Sequence, residues 1–218
     1  MRFSRELNTA LLIALGAACA GSQTRPQTTA GPVKVSRVAM TPAEQAKADS
    51  GRPRYTAADV YFLSGMVPHH AQAVLIAGWA PSHGASPSVQ ALCERIVVAQ
   101  RDEIAFMRRW LSERHQPVPD ENAQHSHGGT LMPGMLTAEQ LRQLDAARGP
   151  EFDRLFLTFM IQHHQGALTM VEQLMSSHGA AQDDNVFKFA ADVNADQTSE
   201  IDRMTSMLTA LAGMKQTR

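Results

Sequence analysis

Apolar residues recur three and four positions apart over four long stretches, about 56–82, 86–113, 150–178 and 184–212, and no stretch alternates with period two. That periodicity lays one apolar stripe along each of four helices and predicts no strands. The ends are marked by residues with local reasons to be there. Thr56-x-x-Asp59 reads as a capping box opening the first helix, and Gly84 suits a left-handed end after Ser82. Ser86 and Pro87 form a cap and first-turn pair, Pro150 opens the third helix, and Asp184 or Asn185 caps the fourth. Pro68 falls inside the first helix, where it removes the hydrogen bond to the Ser64 carbonyl and predicts a kink.

The stripes repeat. Phe62 to Ala73 and Phe156 to Ala167 both read F-L-x-x-M-[VI]-x-H-H-x-x-A, and four of the nine histidines lie in these two phrases. Downstream, Ser82-His83-Gly84-Ala85 pairs with Ser177-His178-Gly179-Ala180, and Gln100-x-x-Glu103-Ile104-x-x-Met107 with Gln197-x-x-Glu200-Ile201-x-x-Met204, at offsets of 94 to 97 residues. Such self-similarity marks an internal duplication. Repeat one spans 56–113 and repeat two 150–212. A connector, 114–149, carries a short helix behind the capping box Thr137-x-x-Gln140. A lone helical hairpin cannot bury both of its apolar faces, so the two must pack together. The expected fold is all-α, a ferritin-like four-helix bundle of two tandem hairpins joined by a long crossover.

Polar residues interrupt the stripes at matching places. At ~100° per residue, Ile96, Gln100, Glu103 and Met107 share one face of the second helix. Val193, Gln197, Glu200 and Met204 do the same on the fourth. Phe62, Met66, His69 and Ala73 share the inward face of the first helix with His70 at its edge, and Phe156, Met160, His163 and Ala167 repeat this on the third with His164 at the edge. Buried imidazoles and carboxylates need partners. They find them either in a closed hydrogen-bond network or around a cation shielded from water, and two His-His pairs with duplicated Met and Glu positions favour the cation. His83 and His178 each precede a glycine at a helix end, where a capping role accounts for them.

Ligand softness narrows the ion. Imidazole accepts many metals, whereas thioether sulfur selects Cu(I) and its soft analogue Ag(I). Met66 and Met160 stand one turn before the histidines, and Met107 and Met204 fall on the same interior faces. A methionine on a buried stripe is equally well explained as filler. The connector adds His125, His127, Met132 and Met135, which on a loop could capture an ion and pass it inward. Cys93 is the one cysteine outside the N-terminal region, so disulfides do not hold the domain, and it reads as a small buried apolar residue.

The N-terminus sets the compartment. Arg2 and Arg5 precede an apolar run from Leu11 to Ala20, too short to cross a bilayer and laid out like a secretory signal over residues 1–18. Leu15-Gly16-Ala17-Ala18-Cys19 resembles a lipoprotein box, so Cys19 is a candidate lipid anchor, though ordinary cleavage at Ala18-x-Ala20 competes. Residues 19–53 read as a flexible tether. The domain, 54–213, is long enough for a real core. Losing residues 1–18 takes Arg2, Arg5 and Glu6 from 20 basic and 21 acidic residues, leaving 18 against 20. That balance gives no argument for nucleic acid or an anionic membrane surface.

With its doubled M-[VI]-x-H-H-x-x-A, its Q-x-x-E-I-x-x-M partners and Met132-Pro133-Gly134-Met135-Leu136-Thr137, the chain resembles the family catalogued as domain of unknown function 305 over about residues 54 to 212. The resemblance implies a ferritin-like, exported protein related to envelope proteins that bind copper or silver and help cells tolerate them. Met66, His69, His70, Met160, His163 and His164 match its motif, and Met132 and Met135 its Met-rich segment. Pro68 and Gln162 occupy a variable place and carry no inference. The expected function is therefore binding of Cu(I), Cu(II) or Ag(I) for sequestration, tolerance or transfer, in the periplasm or on a membrane-anchored lipoprotein. Candidate ligands are Met66, His69, His70, Glu103, Met107, His125, His127, Met132, Met135, Met160, His163, His164, Glu200 and Met204. Two alternatives stay open. A ferritin-like dinuclear iron or manganese oxidase would need Glu-x-x-His motifs, of which there are none. A metal-free interaction module would bury the histidines in a network. No nucleophile elbow, Cys-His pair or phosphate loop points to an enzyme. Whether the bundle forms a homo-oligomer is open.

Overall fold

The computed structural model describes residues 54–121 and 131–216, together with Thr41, Glu44, Lys47, Ser50 and Gly51. The expected signal peptide, most of the tether with Cys19, and both His125 and His127 lie outside the described residues. Among the described residues of the domain there are five helices: α1 (Ala57–Ala77), α2 (Pro87–Glu113), α3 (Ala138–Ala146), α4 (Pro150–Ser176) and α5 (Asp184–Gln216). Among the described residues there is no strand, and no helix is long and apolar enough to cross a membrane.

Thr56 and Thr137 form reciprocal capping boxes with Asp59 and Gln140. Other ends depart from the sequence reading. α1 stops at Ala77, short of Ser82, because Pro81 has no N–H for the Ala77 carbonyl and disfavours helical backbone at Ala80. Residues 78–84 form turns instead, closing with Gly84 at φ +67°. Ser86 stands at the N-cap of α2 without a side-chain cap bond. At α5 the capping acceptor is Asp183, whose Oδ1 takes the Asn185 N–H at 2.9 Å. α1 runs unbroken through Pro68.

A pair of buried aspartates, one from each repeat, fixes how the hairpins engage. Asp59, near the start of α1, accepts the Ala181 N–H at 2.7 Å from the turn after α4. Asp153, near the start of α4, accepts the Ser86 N–H at 3.1 Å from the turn before α2. Each repeat thus ties down the turn of the other, and α1 and α4 must run antiparallel. α1 packs along α2, α4 along α5, and the two hairpins meet through α1 and α4. α2 and α4 consequently run the same way, which is why a long crossover has to join them.

The core falls into two apolar clusters. One gathers Phe62, Met66, Met107, Trp110, Met132, Met135, Met170 and Phe189. The other gathers Ile76, Leu92, Ile96, Phe152, Phe156, Met160 and Met204. On every long helix the residues between the clusters are the polar ones: His69, His70 and Gln72; Gln100 and Glu103; His163 and His164; Gln197 and Glu200. A polar belt therefore crosses the middle of the bundle.

Candidate metal centre

All four belt histidines are completely buried. His69 and His163 face each other across the α1–α4 contact with ring centroids 3.9 Å apart. His70 and His164 turn the other way, each toward the glutamate of its own hairpin. His164 Nε2 hydrogen-bonds Glu200 Oε2 at 2.7 Å. His70 Nε2 lies equally close to Glu103 Oε2, 2.7 Å, but off the line that a hydrogen bond requires. The helical wheel put His70 and His164 at an edge, and the packing of α2 and α5 over that edge buries them.

The central rings differ in what holds them. His69 Nε2 donates to the Pro133 carbonyl at 3.0 Å, so Nδ1 of the neutral ring carries a buried lone pair with no partner. Neither nitrogen of His163 makes an aligned hydrogen bond, the His69 backbone carbonyl being near but out of line. A stranded buried polar atom costs about 1–3 kcal/mol. Burial, then the charge His70 would carry, pushes the His69 imidazole from its ordinary value down to about 3, against the pull of the Pro133 carbonyl. Burial followed by the neighbouring imidazoles His69, His164 and His70 holds His163 well below its ordinary value, the His69 backbone opposing them. At neutral pH both central rings are uncharged and able to donate lone pairs.

Pro133 belongs to a strap, Met132 to Leu136, that crosses the α1–α4 contact. Gln72 grips it twice, accepting the Leu136 N–H at 2.7 Å and donating to the Leu136 carbonyl at 3.1 Å. Gln162 donates to the Gly134 carbonyl at 3.2 Å and accepts from Gln140 of α3 at 2.9 Å. Gly166 lets the strap sit directly on the α4 backbone: a Cβ there would lie 2.0 Å from the Pro133 oxygen. Gly134 supplies the left-handed turn, φ +77°. Met132 and Met135 are accordingly buried, 3% and 5% exposed, and do not sit on a mobile capturing loop. Gln162, which the family resemblance left without a role, is part of the fastening. Gln72, Gln162 and Gly166 all stand where the two repeats differ, and those differences were the available signal.

Met66, Met107, Met160 and Met204 are fully buried, the first two in one apolar cluster and the others in the second. Thioethers thus lie in the core on both sides of the belt. Glu103 and Glu200 sit at its rim, their side chains 18% and 20% exposed. The Asp196 carboxyl is held above its ordinary value by partial burial and then by the charges of Glu103, Asp192 and Glu200, which marks this rim as acidic. Among the described residues no three His, Cys, Asp or Glu side chains converge closely enough to hold an ion. The donors that lie in the core beside the buried imidazoles are methionine sulfurs, which suit soft ions. The orphaned lone pairs of His69 and His163 and the buried thioethers fit Cu(I) or Ag(I) by donor chemistry. Cys93 is buried with its thiol pushed up to about 12, by burial first and then by the charge of Asp153, and it takes no part. His83 is structural: Nε2 contacts the Asp145 carbonyl at 3.0 Å, pinning the end of α3. His178 is exposed.

Residues 59–208 match the family described as Domain of unknown function (DUF305). The chain belongs to the DUF305 family. The DUF305 fragment from Deinococcus radiodurans superposes with a TM-score of 0.61 at 27% identity, covering 72% of this chain and 99% of that one. CopM in its Cu(II)-bound form superposes with a TM-score of 0.58 at 29% identity, covering 70% and 96%. CopM also has Cu(I)-bound and Ag-bound structures similar to this chain. The uncharacterized protein L153 of Acanthamoeba polyphaga mimivirus is 34% identical over 56 residues, 26% of this chain and 37% of that relative. Copper and silver binding thus occurs within the structural neighbourhood of this DUF305 protein.

Proposed function

We propose that this protein is a cell-envelope metal-binding protein that takes Cu(I) or Ag(I) into the polar belt of its bundle, for sequestration, tolerance or transfer. The observation that carries the reading is His163: a neutral, fully buried imidazole with neither nitrogen hydrogen-bonded, 3.9 Å from a second ring whose Nδ1 is also unpartnered. A metal-free network would close these bonds within the protein. It leaves them open, and an ion would close them.

His69 and His163 supply the central nitrogens in this reading, and Met66, Met107, Met132, Met135, Met160 and Met204 are the candidate sulfur donors. His70 and His164 turn to Glu103 and Glu200 and hold these carboxylates at the acidic rim, where a cation would be attracted. The copper- and silver-bound CopM structures support the choice of ion. A dinuclear iron or manganese oxidase fits less well, because Glu103 and Glu200, the matched belt carboxylates of α2 and α5, are each already approached by a histidine.

Competition with a Cu(I) chelator under reducing conditions tests the reading. The full chain should withdraw copper from the chelator, and His163→Ala should weaken uptake by at least tenfold. A wild-type chain that leaves all copper on the chelator ends it.

A further inference from the structure

The strap over His69 does more than cover the core, because it offers the His69 ring a polar atom, the Pro133 carbonyl. A carbonyl only accepts, so His69 must place its proton on Nε2 and keep its lone pair on Nδ1. Histidines that bind metal commonly give their other N–H to a carbonyl or carboxylate, which fixes the tautomer and aims the ring. The strap in turn is set by residues that make no hydrogen bond to the His69 ring. Gln72, 6% exposed, holds the Leu136 amide group at both ends. Gly166 admits the Pro133 carbonyl to within 2.0 Å of where a Cβ would stand. In the duplication Gln72 and Gly166 occupy the same place, the second position after the double histidine. One repeat grips the strap at that place and the other makes room for it.

We infer that Gln72 and Gly166 are positioning residues which, through the strap, select the Nε2–H tautomer of His69, so that His69 binds a soft monovalent ion through Nδ1. The inference rests on the metal-binding reading above. It makes the two repeats chemically unequal: His69 arrives pre-oriented with one nitrogen assigned, whereas His163 is free to bind through either. Gln162 acts in the same direction with a smaller share, since its bonds to Gly134 and Gln140 hold the strap's far side.

Nitrogen NMR of the full chain carrying 15N-labelled histidine, without metal and with Ag(I), tests this. The metal-free protein should show His69 with Nε2 protonated and Nδ1 bare, and Ag(I) should move the Nδ1 resonance while the Nε2 proton stays. Gln72→Met, which keeps the side-chain length and removes both grips, should give mixed tautomers at His69. It should also lower Ag(I) affinity by about 10–100-fold, the usual cost of losing a partner that orients a ligand. Gln162→Met should shift the tautomer balance less, and it serves as the deciding variant if Gln72→Met does not fold. Protonation at Nδ1 in the wild type, silver at Nε2, or a folded strap variant with unchanged tautomer and affinity overturns the inference while leaving metal binding intact. A wild type with the expected tautomer that takes up no Ag(I) overturns the metal-binding reading and, with it, the Nδ1 site.

Discussion

The two double-histidine turns come from one duplicated phrase, yet they do not sit in equivalent surroundings. Beside His69 the connector gives the ring a carbonyl and is clamped by Gln72; beside His163 it lies directly on the Gly166 backbone but gives the ring no hydrogen bond. The glutamates differ in the opposite sense: His164 is properly hydrogen-bonded to Glu200, while His70 only approaches Glu103. A single crossover can lie against only one side of a pseudo-symmetric pair, so it must treat the copies differently. Duplication built the belt, and the connector then divided the labour within it.

Acid should weaken the belt most strongly, through the central histidine of both repeats. His69 falls from its ordinary value of 6.5 to about 3 on folding, so below 6.5 the unfolded chain binds a proton that the folded chain refuses. Stability therefore rises with pH between about 3 and 6.5 and is lost as pH falls through that window, by several kcal/mol at its lower end. His163, also lowered, adds to the same slope. Urea midpoints of metal-free protein measured from pH 7 to 4 should fall steeply, and His163→Gln should flatten the curve. A flat wild-type profile would mean that the central rings are not buried neutral.

Gly166→Ala attacks the strap directly. With its Cβ 2.0 Å from the Pro133 oxygen and 2.5 Å from Gly134 Cα, and both of these backbone, the strap has to lift. Overpacking of this severity costs about 3 kcal/mol. Gln72, at the matching place in the other repeat, carries a full side chain, so the close approach that excludes a methyl belongs to α4 alone. A thermal midpoint within a degree or two of wild type would show that the strap has another place to lie.

Much of this architecture could be read from the chain, and the part that could not has a common cause. The four long helices follow from apolar periodicity and the hairpin pairing from the duplication, because both are local or repeated signals. The inward placement of Met66, His69, Met160 and His163 came from the same wheel. The strap did not: its contacts join residues 28 to 64 positions apart, and His69 apart, the residues that make them stand where the repeats disagree. Attention to what the copies share passes over Gln72, Gln162 and Gly166. Asp59 and Asp153 were hidden differently. Asp59 reads as the third residue of a capping box, and nothing nearby says that its second oxygen serves a turn 122 residues away. The early end of α1 was legible in Pro81 and was outweighed by the run of apolar residues leading up to it.

The smallest effect separates the two glutamates. Glu200→Ala strands the His164 Nε2 donor in a completely buried site, and a lost hydrogen bond of this kind costs about 1–2 kcal/mol. Glu103→Ala removes a carboxylate that His70 approaches without alignment, so it should cost no more than about 0.5 kcal/mol. Paired denaturation curves on the two variants, both without metal, measure the gap. Equal losses would show that the His70–Glu103 contact closes into a hydrogen bond in solution, leaving the strap as the sole source of inequality between the repeats. A larger loss at Glu103 would reverse the assignment of the better-anchored pair. The predicted order, Glu200 above Glu103, keeps His164 as the fixed member of the second repeat beside a free His163, and His69 as the fixed member of the first.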